Sequence, residues 1–147
     1  MLGSRSIVVR LVTAALIAAV VGVACSGGGS QDTGGNGDGP DVEFLSGEVP
    51  VTFPVDFPIP DEAVVGTGMI NRSAGTTELI IRIPATVTAV TDFFEANFAA
   101  RGYQVTSSEE KGAEGWLVSF EKDGVSGRVE MSPITGEASQ AVVRIEA

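Results

Sequence analysis

The sequence predicts an α+β domain, an antiparallel β-sheet of about six strands with one amphipathic helix packed on one face, in the order ββαββββ. Three observations carry this. Between Val64 and Glu146, short stretches alternate apolar and polar residues with a period of two, separated by turn residues. One stretch alone, Thr86 to Arg101, carries its apolar residues at helical spacing. Near the C-terminal end, Asp123-Gly124 lies between two alternating runs and is the preferred pair for a two-residue hairpin.

The domain is read over residues 50–147. Its lead-in, Val51 to Pro60, alternates strictly: Val51, Phe53, Val55, Phe57 and Ile59 on one side, Thr52, Pro54, Asp56, Pro58 and Pro60 on the other. Period two argues for an extended segment, and three prolines bar it from a central strand because they cannot donate ladder hydrogen bonds. The expectation is an edge strap in a polyproline or edge-β conformation. Val64 to Asn71 and Glu78 to Pro84 then form a hairpin around residues 72–76, with Leu79, Ile81 and Ile83 on one face. The glycines of Gly66-Thr67-Gly68 lie within a strand pattern, so they signal close approach by a large neighbouring side chain rather than a phosphate loop.

In the helix, Val87, Val90, Phe94 and Phe98 follow spacings of three, four and four, and Ala89, Phe93, Ala96 and Ala100 widen the stripe. Asp92 and Glu95 fall outside it, Arg101 stands in the last turn, and Gly102 is placed for a left-handed cap. Four strands follow: Tyr103 to Ser108, Trp116 to Glu121, Val125 to Met131 and Gln140 to Glu146. Counting outward from Asp123-Gly124 sets Phe120 opposite Gly127, Val118 opposite Val129 and Trp116 opposite Met131, all on one face. Phe94, Phe98, Ile81, Val118, Phe120, Val129, Val143 and Ile145 are the expected core.

Composition narrows the function. The 147 residues include no histidine and one cysteine, which excludes Ser-His-Asp and Cys-His nucleophiles, a His-ligated metal and an internal disulfide. From Cys25 onward seven basic residues face nineteen acidic ones, a formal charge of −12. Such a body is repelled by phosphate backbones, so nucleic acid is not an expected partner. No cofactor and no metal site is signalled, and adjacent Glu109 and Glu110, in or beside a loop, read as solvated carboxylates.

The N-terminus is of another kind. Arg5 and Arg10 precede an uncharged apolar run, Leu11 to Ala24, which ends at Cys25. Its 14 residues would span about 21 Å as a helix, short of the roughly 30 Å hydrocarbon core, which suits a signal peptide over residues 1–24. Ser26 to Asp41 holds seven glycines and no apolar side chain, so residues 25–49 read as a disordered tether with a root-mean-square reach of about 25–30 Å.

Val21-Gly22-Val23-Ala24-Cys25 resembles the lipobox of bacterial lipoproteins, with Gly22 where that family favours leucine. The resemblance implies cleavage before Cys25, a diacylglycerol on its sulfur with further acylation such as palmitate, and attachment to the extracytoplasmic face of the bacterial cell membrane. Phe57-Pro58-Ile59-Pro60 and Gly102-Tyr103-Gln104-Val105 resemble segments of small envelope lipoproteins, a likeness that implies no activity.

One helix covers only one side of a sheet. Ile80, Leu117 and Val142, with Arg128 among the neighbouring charges, fall on the opposite side and are the candidate contacts for an envelope protein or ligand. The expected role is therefore a non-enzymatic, membrane-anchored binding module. The alternatives are a carboxylate-based envelope enzyme and a purely structural envelope component.

Overall fold

A computed structural model describes residues 41–147. The signal peptide, Cys25 and the glycine-rich tract to residue 40 lie outside the described residues. Among those described, the elements are β1 (Val42–Ser46), β2 (Val64–Asn71), β3 (Thr76–Ile83), α1 (Val87–Ala100), β4 (Gln104–Lys111), β5 (Gly115–Lys122), β6 (Val125–Pro133) and β7 (Ser139–Glu146). All seven strands form one antiparallel sheet in the order β1-β2-β3-β7-β6-β5-β4. The α+β class is as expected, with seven strands rather than six. The seventh is β1, which lies in the stretch read from sequence as the end of the tether.

Local chemistry accounts for the elements. Asp123 (φ 51°) and Gly124 (φ 84°) both take the left-handed backbone that a type I′ turn demands. That turn fixes the β5–β6 register as Phe120↔Gly127, Val118↔Val129 and Trp116↔Met131, the pairing expected from sequence. Helix α1 starts on Thr86, whose Oγ1 accepts from the Ala89 amide at 3.4 Å, and ends at Arg101 with Gly102 following at φ 76°. Its buried face is Val90, Thr91, Phe94 and Phe98, narrower than the expected stripe, since Ala89, Ala96 and Ala100 are exposed. Thr91 enters the core because its hydroxyl is satisfied, donating to the Val87 carbonyl at 2.9 Å and facing Met131 Sδ at 3.6 Å.

The core lies between one sheet face and two covers. Leu79, Val143, Val129 and Val118 form one cross-strand row, and Ile81, Ala141, Met131 and Trp116 form the next. Helix α1 packs over β4, β5 and β6. At 14 residues it is about 21 Å long and, with side chains, about 10 Å wide, against a sheet about 29 Å across. Residues 47–63 cover the remainder on the same side.

That second cover is not extended. The amides of Phe53, Phe57 and Ala63 donate to the carbonyls of Pro50, Pro54 and Pro60, each at 3.0 Å, giving a run of i→i+3 turns. The working period is therefore four: Phe53 and Phe57 are buried, whereas Val51 and Val55 are almost fully exposed at 92% and 108%. Each proline stands at the first position of its turn, where only its carbonyl takes part and its missing N–H costs nothing. Pro50 rests on Gly68, 3.1 Å from where a β-carbon would stand, the close approach expected of that glycine. Thr52 and Thr77 share a hydroxyl hydrogen bond of 2.7 Å beside it.

Phe57 joins the two covers. Its ring centroid lies 5.2 Å from Phe53, 5.7 Å from Phe98, 5.7 Å from Phe120, 6.2 Å from Phe94 and 6.4 Å from Tyr103, within the range of favourable aromatic pairs. Every residue of the expected core is buried. Phe57→Ala is expected to destabilise the domain by about 3–5 kcal/mol in denaturant unfolding. Val55→Ala, two residues away, is expected to change it by less than about 0.5 kcal/mol. Equal effects would restore the extended, period-two arrangement.

Candidate functional site

The candidate site is the sheet face that neither cover reaches. Because side chains alternate along each strand, the ladders that bury Leu79 and Ile81 send Glu78, Ile80 and Arg82 to this other side. Cross-strand register then assembles its rows. Ile80, Val142, Glu130, Leu117 and Glu109 follow one another across β3, β7, β6, β5 and β4. The three apolar side chains singled out from sequence thus share one row, with Ile80 directly beside Val142 and Leu117 one strand beyond Glu130. All three are half-buried.

Arg128 stands in the adjacent row, Glu78, Arg144, Arg128 and Ser119. Two arginines directly opposite each other repel, and the row offsets this by pairing one of them. Arg144 reaches Glu78 and Glu146, each at 3.2 Å, while Glu130 accepts from Lys111 at 2.6 Å. Arg128 is exposed and forms no ion pair among the described residues. Thr106, Ser119, Ser126, Glu121, Arg144 and Glu146 line a shallow polar hollow of about 190 Å³ with it. A guanidinium so placed is available for a carboxylate or another planar acceptor brought by a partner.

Residues not anticipated from sequence extend the apolar area. Met69 lies beside Glu78, Phe44 beside Met69 and Val64 beside Arg82, all on the same face. Phe44 is 72% and Val64 65% exposed. The signal for Phe44 was present in the alternation of Val42, Phe44 and Ser46, but five residues beside a glycine-rich tract give too short a pattern to distinguish from tether.

Two further features lie elsewhere. An apolar groove of about 390 Å³ runs between the end of β3 and α1, lined by Ile83, Pro84, Ala85, Val90, Phe93 and Pro60, with Asp61 and Glu62 the only ionisable residues in its lining. On the covered side, Asp56 ties the turn segment down: Tyr103 donates its hydroxyl to Oδ1 at 2.9 Å, Lys122 pairs with Oδ2, and Arg101 donates to the Asp56 carbonyl at 2.9 Å. Lys122 Nζ also lies 4.6 Å from the Tyr103 ring centre. Hydrogen bonds from Lys122 and Tyr103 hold the Asp56 carboxyl below its ordinary value of 3.8, and burial with the Asp56 hydrogen bond raises the Tyr103 phenol. This cluster is a clasp between covers.

Among the described residues no group of three or more acidic or cysteine side chains is arranged to hold a metal ion, and no helix is long and apolar enough to cross a membrane. Comparisons with protein-family models, curated proteins and solved structures gave no match.

The clasp makes a pH prediction. A folded-state carboxyl pKa below the unfolded one adds stability above the unfolded value, and that stability is lost as pH falls through the folded value. Acid titration of the melting temperature should therefore show a decline below about pH 4 that Asp56→Asn diminishes. An unchanged acid limb in that variant would remove the clasp from the account.

Proposed function

We propose that this chain is a lipid-anchored protein of the extracytoplasmic face of the bacterial cell membrane, and that its domain is a non-catalytic binding module for an envelope partner. The anchor is the Cys25 sulfur. Its support is the order of features in the sequence: a basic start, a short apolar run, Val21-Gly22-Val23-Ala24-Cys25, then a glycine-rich tract. Two acyl chains suffice for stable attachment, since each buried CH₂ contributes about 0.8 kcal/mol and one chain alone holds only marginally.

The observation that carries the binding role is the shared row of Ile80, Val142 and Leu117 on the uncovered face, with exposed Arg128 beside it. Apolar side chains at the centre, the exposed guanidiniums of Arg128 and Arg82 and a rim of carboxylates form a surface that selects by charge as well as by contact. A partner fitted to it presents an apolar patch with an acceptor opposite Arg128 and a basic group opposite Glu109. The same negative charge keeps the body away from anionic headgroups and leaves this face accessible at the end of its tether.

Two measurements test this. Cys25→Ala should abolish fatty-acid labelling and release the protein from the membrane fraction; continued labelling and sedimentation would exclude acylation at this sulfur. Leu117→Asp combined with Arg128→Glu should leave the melting temperature within a few degrees and remove the in vivo crosslinks formed by the parent chain. Crosslinks unchanged by the double substitution would exclude this face.

A further inference from the structure

The outer edge of the sheet has a geometry that the binding face does not use. Strand β1 pairs with β2 on one side only. The Asp41 carbonyl accepts from the Arg72 amide and the Gly47 amide donates to the Gly66 carbonyl, both at 2.8 Å. In an antiparallel ladder, residues alternate in the direction their backbone groups point. Glu43 and Leu45 therefore turn theirs to β2 with Asp41 and Gly47, and Val42, Phe44 and Ser46 turn theirs outward. Among the described residues, these three amides and three carbonyls have no partner and form a ladder along the free edge.

We infer that this edge is self-complementary, and that a second copy of the chain adds its own β1 there, antiparallel, about a twofold axis at Phe44. In that register Phe44 meets Phe44 of the second copy, and Val42 meets its Ser46, so that every outward amide finds an outward carbonyl and six hydrogen bonds close. The side chains agree. Phe44, 72% exposed, lies on the uncovered face and gains an aromatic partner directly across the strand. Glu43, held by Arg72 at 2.6 Å, comes opposite Leu45 of the second copy, so no like charges oppose each other across the new ladder.

The other edge is built differently. Strand β4 is exposed over nearly its whole length, carries Glu109, Glu110 and Lys111, and has an irregularity between Val105 and Ser107. Charge and a bulge are the usual means of preventing strand addition. Strand β1 has no lysine, no proline and no bulge. The glycine-rich tract before it has seven glycines and, in Thr33, a single β-branched residue, a composition that does not favour a competing strand. A five-residue pairing is smaller than a standard interface of about 800 Å² per partner, so the dimer is weak and concentration-dependent.

Sedimentation equilibrium of the full-length protein in detergent, taken up to about 1 mM, tests this. The parent should approach the mass of two chains. Phe44→Pro should remain a monomer, since it removes an amide that β2 does not use and leaves the β1–β2 ladder intact. Val64→Asp, on the same face away from the edge, should dimerise like the parent. In a Cys25→Ala background, a bismaleimide of about 8 Å span should join two copies of Phe44→Cys, whose α-carbons would lie about 5.5 Å apart, and should not join Val64→Cys. A parent monomeric throughout, a dimer surviving Phe44→Pro, or crosslinks at Val64→Cys in place of Phe44→Cys would each overturn the inference. Loss of acylation at Cys25 would leave it standing, because the pairing is read in detergent.

Discussion

Insertion of Phe57 among Phe94, Phe98, Tyr103 and Phe120 is the contact on which the rest of the architecture depends. A seven-stranded sheet presents more apolar area on one face than a 14-residue helix can remove from water. The deficit is met by a turn-forming segment with a phenylalanine at every fourth position, and Phe57 is where that segment, the helix and the sheet meet. The Asp56 clasp, one residue earlier in the chain, fixes the same segment to Arg101, Tyr103 and Lys122. Burial and polar locking thus act on adjacent residues of one cover.

This arrangement also explains why function is sought on the far side. Both covers take the Leu79–Val143–Val129–Val118 face, so the alternate residues of the same strands remain accessible. Their composition differs from that of a simple solubility surface. Ile80, Val142 and Leu117 share one row, and the next sets Arg144, engaged by two glutamates, against Arg128, which forms no ion pair among the described residues. An exposed guanidinium at this place in the sheet can select a partner that brings its own acceptor.

Much of the fold was legible in the sequence where local chemistry and long-range pattern agree. Asp123-Gly124 states its own turn type and thereby its register, and the Val90, Phe94 and Phe98 spacing places both helix and core. The misreadings arise where local pattern is ambiguous. Alternation in Val51 to Pro60 satisfies period two and period four equally, and only the turn bonds accepted by Pro50, Pro54 and Pro60 separate Phe53 and Phe57 from Val51 and Val55. Strand β1 was hidden because five residues offer too few alternations, and pairing with β2 is a tertiary fact. Of the candidate face, Ile80, Val142, Leu117 and Arg128 were readable from alternation and hairpin register; Phe44, Met69 and Val64 required the strand order.

The central claim is that residues 47–63 are part of the core rather than an appendage, which is what leaves only one sheet face open. Native-state hydrogen exchange of the full-length protein tests it most directly. The Phe53 and Phe57 amides should exchange as slowly as those of Leu79 and Val143, through global unfolding. Exchange of these two amides orders of magnitude faster, with β3 and β7 still protected, would show the cover opening by itself and would contradict the account.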